Sequence, residues 1–272
     1  MDAELERVAR WIRGAGRVVY VVGAGLSVPS GIRAYRSGPD AIWDELVTSW
    51  GTREKLEAEP AAWWKIFWLG AHADLGREDL APNDGHRALA RLVARDARDL
   101  VITQNVDGLH RRAGHLETQL VEIHGRHDRF VCTAHARCAG GREPIDRVDL
   151  SRLEEGVIPR CAHCRAPMRP LVLLFDELYE SHPAFQARRA RRALDEADVV
   201  VFVGTSFSVG ITSLAIRSAR FTHARVVNVN VERAPFEDVT ELTGSAADVL
   251  PRLARELDHP SPDRDTVPPA SP

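Results

Sequence analysis

Apolar residues along this chain of 272 amino acids fall into two recurring patterns. Short unbroken runs rich in β-branched residues, each closed by glycine or a polar turn, read as strands buried on both faces. They lie at Val18–Val22, Leu100–Thr103, Leu120–His124, Val199–Gly204 and Arg225–Asn230. Between them apolar positions recur at helical spacing, most clearly in Ala3–Gly14, His86–Arg95 and Pro183–Ala197. This alternation predicts an α/β fold, a doubly wound parallel sheet of Rossmann-like type, in which ligands sit at the carboxyl ends of the strands.

Two stretches break the alternation. Residues 37–80 are helical in pattern and carry Trp43, Trp50, Trp63, Trp64 and Trp68, and residues 126–170 carry every cysteine. Both read as insertions that build a smaller module beside the sheet. The expected boundaries are therefore 1–36, 81–125 and 171–257 for a discontinuous sheet domain, 37–80 for a helical part and 126–170 for a cysteine-bearing part. Residues 258–272, rich in Pro, Asp and Ser, read as a disordered tail. The tryptophans fit the core of a small helical unit better than a membrane or peptide-binding face.

Composition adds exclusions. Hydrophobic residues make up 44% and charged residues 28%, and the net charge is -3, so no basic footprint points to specific nucleic-acid binding. No apolar run approaches the ~20 residues that span a bilayer, and no membrane partner is expected. The charged opening Met1-Asp2-Ala3-Glu4 reads as a helix start rather than a signal peptide, so a cytoplasmic enzyme is the expectation.

The four cysteines Cys132, Cys138, Cys161 and Cys164 form two pairs within 33 residues. Clustered cysteines in a cytosolic chain point to metal rather than disulfides, and four thiolates close a tetrahedral structural Zn²⁺ site. His135 stands where it could replace Cys138. Four cysteines are preferred, because otherwise Cys138 has no use.

Candidate chemistry gathers at the strand ends. The first strand runs into Gly23-Ala24-Gly25, a tight turn that would bring backbone near a pyrophosphate at the N-terminus of a following helix. Position 28 is Val28 rather than the third glycine of the ordinary dinucleotide fingerprint, and no acidic residue closes a second strand, which disfavours a hydride-transfer dehydrogenase. Ser27, Gly31 and Arg36 follow in a loop able to fold over a nucleotide, with Arg36 placed to neutralise phosphate. The second strand ends in Gln104-Asn105-Val106-Asp107. An amide can serve a ribose hydroxyl or a water, and a carboxylate can accept from the carboxamide of a nicotinamide. The third strand ends in His124-Gly125, where a histidine suits a general base near neutral pH.

Taken in order, these motifs resemble the sirtuin family of NAD-dependent protein deacylases, over roughly Val18 to Leu250. Gly23–Ser27 and Gly31–Arg36 are similar to its first NAD loop, and Pro82-Asn83-x-x-His86 to the stretch before the second strand. Thr103–His110 is the most specific match, followed by the His124-Gly125 pair and the cysteines. Arg169-Pro170-x-Val172-x-x-Phe175-x-Glu177 resembles the strand that pairs with substrate, and Gly204-Thr205-Ser206 and Val229-Asn230 the loops around adenosine.

The resemblance implies NAD and an acyl-lysine peptide meeting between a large and a small unit. Nicotinamide leaves, His124 deprotonates a ribose hydroxyl that attacks the linked amide carbon, and deacylated lysine and O-acyl-ADP-ribose result. Asn105 would position ribose and water. Asp107 and the Ile32 backbone would hold the carboxamide, and Tyr35 would shield the ribose. Gln104 and Ser27 would touch ribose and phosphates, while Ser206 and Asn230 would serve adenosine. Val172, Phe175, Asp176 and Glu177 would meet the peptide. Arg33 and Tyr35 stand where the family has Pro and Phe, and Asp176 where it has Gly, which puts a charge on the expected peptide path. An ADP-ribosyltransferase or NAD hydrolase is therefore the alternative.

Overall fold

The computed structural model describes residues 2–33 and 45–258. Tyr35, Arg36, Trp43 and the expected tail from 259 onward lie outside them. In chain order the elements begin with α1 (Asp2–Gly14), β1 (Val18–Val22), α2 (Glu45–Trp50), α3 (Arg53–Ala58) and α4 (Pro60–Trp63), which runs on as a π-helix over Trp64–Gly70. Next come α5 (Asp84–Val93), β2 (Leu100–Thr103), α6 (Leu109–Arg112), β3 (Leu120–Glu122), β4 (Gly125–Cys132) and β5 (Met168–Val172). The chain closes with α7 (Ala187–Asp195), β6 (Val199–Val203), α8 (Gly210–Thr222), β7 (Arg225–Asn230), β8 (Thr240–Thr243) and α9 (Ala246–Asp258).

Six strands form one sheet in the order β3-β2-β1-β6-β7-β8, every pair parallel. Successive side chains of a strand point to opposite faces, and the two cores follow from that. Val18, Tyr20 and Val22 pack with α1, α5 and α9, while Val19 and Val21 pack with α7 and α8. Strand order reverses between β1 and β6, the place where such a sheet opens a crevice for ligand.

The expected strands stand, with three differences. β3 stops at Glu122, which leaves His124 just beyond the sheet. β8 has no apolar run to announce it: it reads Thr-Glu-Leu-Thr and lies at the sheet edge. The helix expected over Pro183–Ala197 is split, because Gln186 adopts φ 52° between a 3₁₀ turn and α7.

Residues 37–80 and 126–170 are joined more closely than their separation in sequence suggests. Leu56, Trp63, Trp64, Phe67 and Trp68 share one core with Leu153, Ile158, Val172 and Leu174. Trp64 stacks on Phe130 and donates from its indole to the Met168 carbonyl, 3.2 Å away. Trp50, Trp63, Trp64 and Trp68 are thus packing residues. The cysteine segment holds the antiparallel pair β4–β5, unannounced in sequence because β4 carries Arg126, His127, Asp128 and Arg129 around a register shift.

Candidate active site

At the carboxyl ends of β1, β2 and β6 the fold opens a cavity of about 850 Å³, within the ~300–1,000 Å³ usual for cofactor and ligand sites. Its floor is the junction of two loops. A side chain on Gly23 would come within 2.7 Å of the Gly204 carbonyl oxygen, and one on Gly25 within 2.8 Å of Gly204 Cα. Gly204 itself has φ 54°. The glycines therefore serve first to let the loops after β1 and β6 touch. Among the described residues no long helix follows β1 directly. The expected α-helix is replaced by 3₁₀ turns at Ala24–Leu26 and Val28–Ser30, where Pro29 offers no N–H and Gly31, at φ 86°, ends the run.

Ser27, Asn105 and Asp107 form one buried network. Ser27 Oγ donates to Asp107 Oδ2 at 2.7 Å and accepts from Asn105 Nδ2 at 3.1 Å, while Asn105 also donates to the Gly23 carbonyl at 3.0 Å. Asp107 Oδ1 accepts from Leu109 N at 2.8 Å. Burial pushes the Asp107 carboxyl above its ordinary range, and the bonds from Ser27 and Leu109 offset part of that. Ser27 is 1% exposed, and its hydroxyl is engaged with both Asn105 and Asp107. Beneath it lies His86, whose Nδ1 accepts from Asn83 N and whose Nε2 is 3.4 Å from Ser27 Oγ. His86 packs edge-on against His110, which packs against His115. Sequence reasoning gave this buried cluster no role.

Gln104 donates to the Val22 carbonyl at 3.1 Å and to Thr205 Oγ1 at 3.3 Å, tying the ends of three strands together. Its own carbonyl lies 3.0 Å from His124 Nδ1. A carbonyl only accepts, so Nδ1 carries the proton and Nε2 of the neutral ring is left as a base. Burial lowers the His124 pKa to about 4, against a smaller upward pull from the Gln104 carbonyl. On the far side Asn230 donates to the Thr205 carbonyl at 2.9 Å, and Ser206 is exposed at the cavity edge.

Gly125, at φ 81°, is required by its neighbour: a side chain there would overlap the Leu171 carbonyl oxygen, where β5 crosses. That crossing brings Val172 and Phe175 to the cavity wall. The other two expected substrate residues are differently engaged. Glu177 is bound in a buried pair with Arg169, at 2.7 and 2.9 Å, and also accepts from Leu174 N. Asp176 turns away from the cavity and accepts from Arg53 N and Glu54 N, at 2.7 and 3.1 Å, in the first turn of α3. Its charge is held by helix N–H groups, and Asp176 is not among the residues that line the cavity.

The four cysteine sulfurs all lie within 4.8 Å of one another, with Cys132–Cys164 at 3.5 Å and Cys138–Cys161 at 3.9 Å. A tetrahedron with Zn–S bonds of about 2.3 Å has edges of about 3.8 Å, so the set fits a closed Zn²⁺ site. His135 is engaged elsewhere, with Nδ1 3.1 Å from the Cys132 carbonyl and Nε2 2.9 Å from that of Ser181.

Residues 23–210 match the profile of the Sir2 family. The chain belongs to that family. It is 35% identical to the NAD-dependent deacetylase sir2E of Dictyostelium discoideum, over 93% of this chain and 77% of the relative. It is likewise 35% identical to an NAD-dependent protein deacetylase of Haloarcula marismortui, over 94% and 96%. Among solved structures, a Sir2 homolog–NAD complex superposes with a TM-score of 0.76 at 26% identity, covering 93% of each chain. A Sir2–p53 peptide–NAD⁺ complex gives 0.74 at 26%, covering 93% of this Sir2 protein and 98% of the other. Among the described residues no helix is long and apolar enough to cross a membrane.

Proposed function

We propose that this Sir2 protein is an NAD-dependent protein-lysine deacetylase, which releases nicotinamide and passes the acetyl group to ADP-ribose. The observation that carries the reading is the His124 ring. Its Nδ1 is committed to the Gln104 carbonyl, which leaves Nε2 as the base of a ring that lines the cavity with Ser27, Asn105 and Asp107. NAD, when bound, supplies an anomeric carbon made reactive by departure of nicotinamide.

The protein's own residues do the rest. Asp107 and the Ile32 backbone hold the carboxamide, Asn105 orients ribose and water, and the Gly23–Gly25 loop receives the phosphates. Gln104 steadies the ribose, with Tyr35 and Arg36 serving ribose and phosphate. Ser206 and Asn230 lie on the adenosine side, with Gly204 and Thr205 shaping the loop. His124 takes a proton from a ribose hydroxyl at Nε2. Val172, Phe175 and the backbone at Asp176 and Glu177 meet an acyl-lysine peptide.

Zn²⁺ on Cys132, Cys138, Cys161 and Cys164 is structural, since four thiolates leave no open position for water. We assign 37–80 and 126–170 to one small module, supported by their common core, and 1–36, 81–125 and 171–257 to the sheet domain. Clustered reduced cysteines suit the cytoplasm.

The test is incubation with NAD and acetyl-lysine peptides, following nicotinamide, ADP-ribose, O-acetyl-ADP-ribose and deacetylated peptide by mass spectrometry. Nicotinamide, deacetylated peptide and O-acetyl-ADP-ribose should rise together and fall at least a hundredfold in His124→Ala. Nicotinamide without deacetylated peptide would replace this reading with ADP-ribosyl transfer or NAD hydrolysis.

A further inference from the structure

The hydrogen bond from Nδ1 to the Gln104 carbonyl fixes one atom of the His124 ring but leaves the tilt of its plane open. A second constraint is present. The ring of Tyr179 lies stacked on the imidazole, with centroids 5.9 Å apart and planes within 3° of parallel. Tyr179 is itself pinned, because its hydroxyl accepts the Ile211 N–H at 3.0 Å in the first turn of α8. It stands two residues after Glu177, beyond Leu178, and lines the same cavity as His124, Val209 and Gly210. Tyr179 thus ties the substrate-side segment to the helix behind the adenosine-side loop, with the candidate base alongside its ring.

We propose that Tyr179 is a positioning residue for His124: its ring, anchored through its hydroxyl to Ile211, sets the tilt of the imidazole and keeps water from that face. The proposal deepens the deacetylase reading and rests on it for its catalytic consequence.

Among the described residues no charged group substitutes for this contact. Glu177 is spent on Arg169, and Asp107 on Ser27 and Leu109 N. Glu180 from the same segment and Arg191 from α7 border the cavity, and neither is bonded to the imidazole. From β3 and β4, Glu122 pairs with Arg111, and Arg126 with Asp128. Burial is the main cause that lowers the ring's pKa, so the wall that supplies burial controls how readily the ring protonates. Burial also raises the Tyr179 pKa, so the hydroxyl stays neutral as an acceptor and anchor.

The test compares Tyr179→Leu and Tyr179→Phe with the unaltered protein by two readouts. The first is NMR titration of the His124 ring in the absence of ligands, from pH 8 to 5. The unaltered ring should stay neutral throughout. Tyr179→Leu should bring its midpoint up by about one pH unit or more, toward the ordinary histidine value of about 6.5. Tyr179→Phe, which keeps the ring and loses only the anchor, should shift it less. The second is the pH profile of kcat/KM with acetylated peptide. In Tyr179→Leu the acid limb should move up by the same amount and kcat at pH 7 should fall about tenfold, with KM for NAD within about twofold.

An unchanged His124 titration in well-folded Tyr179→Leu overturns the proposal, whatever the activity. A shifted titration in a protein that never deacetylates peptide upholds the positioning role and sinks the deacetylase reading instead.

Discussion

The parallel sheet and the cysteine-bearing segment rest on different physical grounds. In β1 and β6 every residue is buried, and the helices on both faces add Leu, Ile, Val and Ala in unbroken contact. Residues 126–170 contain, apart from the β4–β5 pair, mostly turns and short 3₁₀ pieces around Cys132, Cys138, Cys161 and Met168. The part around the cysteines has little apolar core of its own and needs a staple, even though Leu153 and Ile158 join the core of the tryptophan helices. The comparison teaches that one protein can place its reactive groups on a hydrophobic scaffold while bracing the helical wall of its cavity, Gly51, Phe67, Trp68 and His72, from behind with a cysteine-bearing segment that shares its core. The two halves should then fail under different stresses.

The largest expected effect is metal loss. Strong chelation, or Cys161→Ser, should unfold the small module, since a structural zinc carries ~10 kcal/mol or more of folding free energy. The fluorescence of buried Trp63 and Trp64 should shift to the red while far-UV dichroism keeps the α/β signal. Simultaneous loss of both signals would erase the distinction between the halves.

Next is the Arg169–Glu177 pair, buried on both sides. Arg169→Ala should cost about 3–5 kcal/mol in denaturant unfolding because it strands a buried carboxylate, whereas Arg169→Met with Glu177→Leu should recover most of that. Equal destabilisation by both variants would mean that packing rather than charge holds this segment.

Acid should act on the other half. Burial lowers His86 to about 3, His115 to about 4, and His110 well below its ordinary value. A folded pKa below the unfolded one means that the neutral form is favoured in the fold. The stability it brings is whole above pH 6.5 and drains away as pH falls toward 4, at about 1.4 kcal/mol per pH unit for each histidine kept neutral. Urea unfolding at pH 7 and pH 5 should therefore differ by about 6 kcal/mol for three histidines acting independently, and a flat profile would show the cluster to be solvated. The smallest effect belongs to Asp176→Gly, which removes the carboxylate over α3. It should cost about 1 kcal/mol and leave KM for NAD alone. A large rise in KM for NAD would mean that the two halves are coupled through this contact.

The same division explains what the sequence could convey. Central strands buried on both faces write themselves as apolar runs, so β1, β2, β6 and β7 are read almost to the residue. β4 and β8 are not, because an irregular pair and an edge strand need no such run. Residues clustered at strand ends, from Gln104 to Asp107 and at His124, are visible because the architecture tells where a site belongs. Tyr179 is not, since its meaning lies in an N–H 32 positions away. Glu177 and Asp176 were expected at the substrate because their segment was recognisable. Their side chains turn instead to Arg169 and to α3, contacts that only the folded chain supplies.

The dipeptide His124-Gly125 is also where the polypeptide leaves the sheet, and Gly125 pairs with Val172 as it returns. Everything between those two residues is an excursion whose ends are fixed side by side. For recombination between relatives, 125 and 172 are thus natural splice points: a foreign excursion grafted there inherits the position of His124. A junction displaced by one residue would instead reverse which side of the strand faces the cavity.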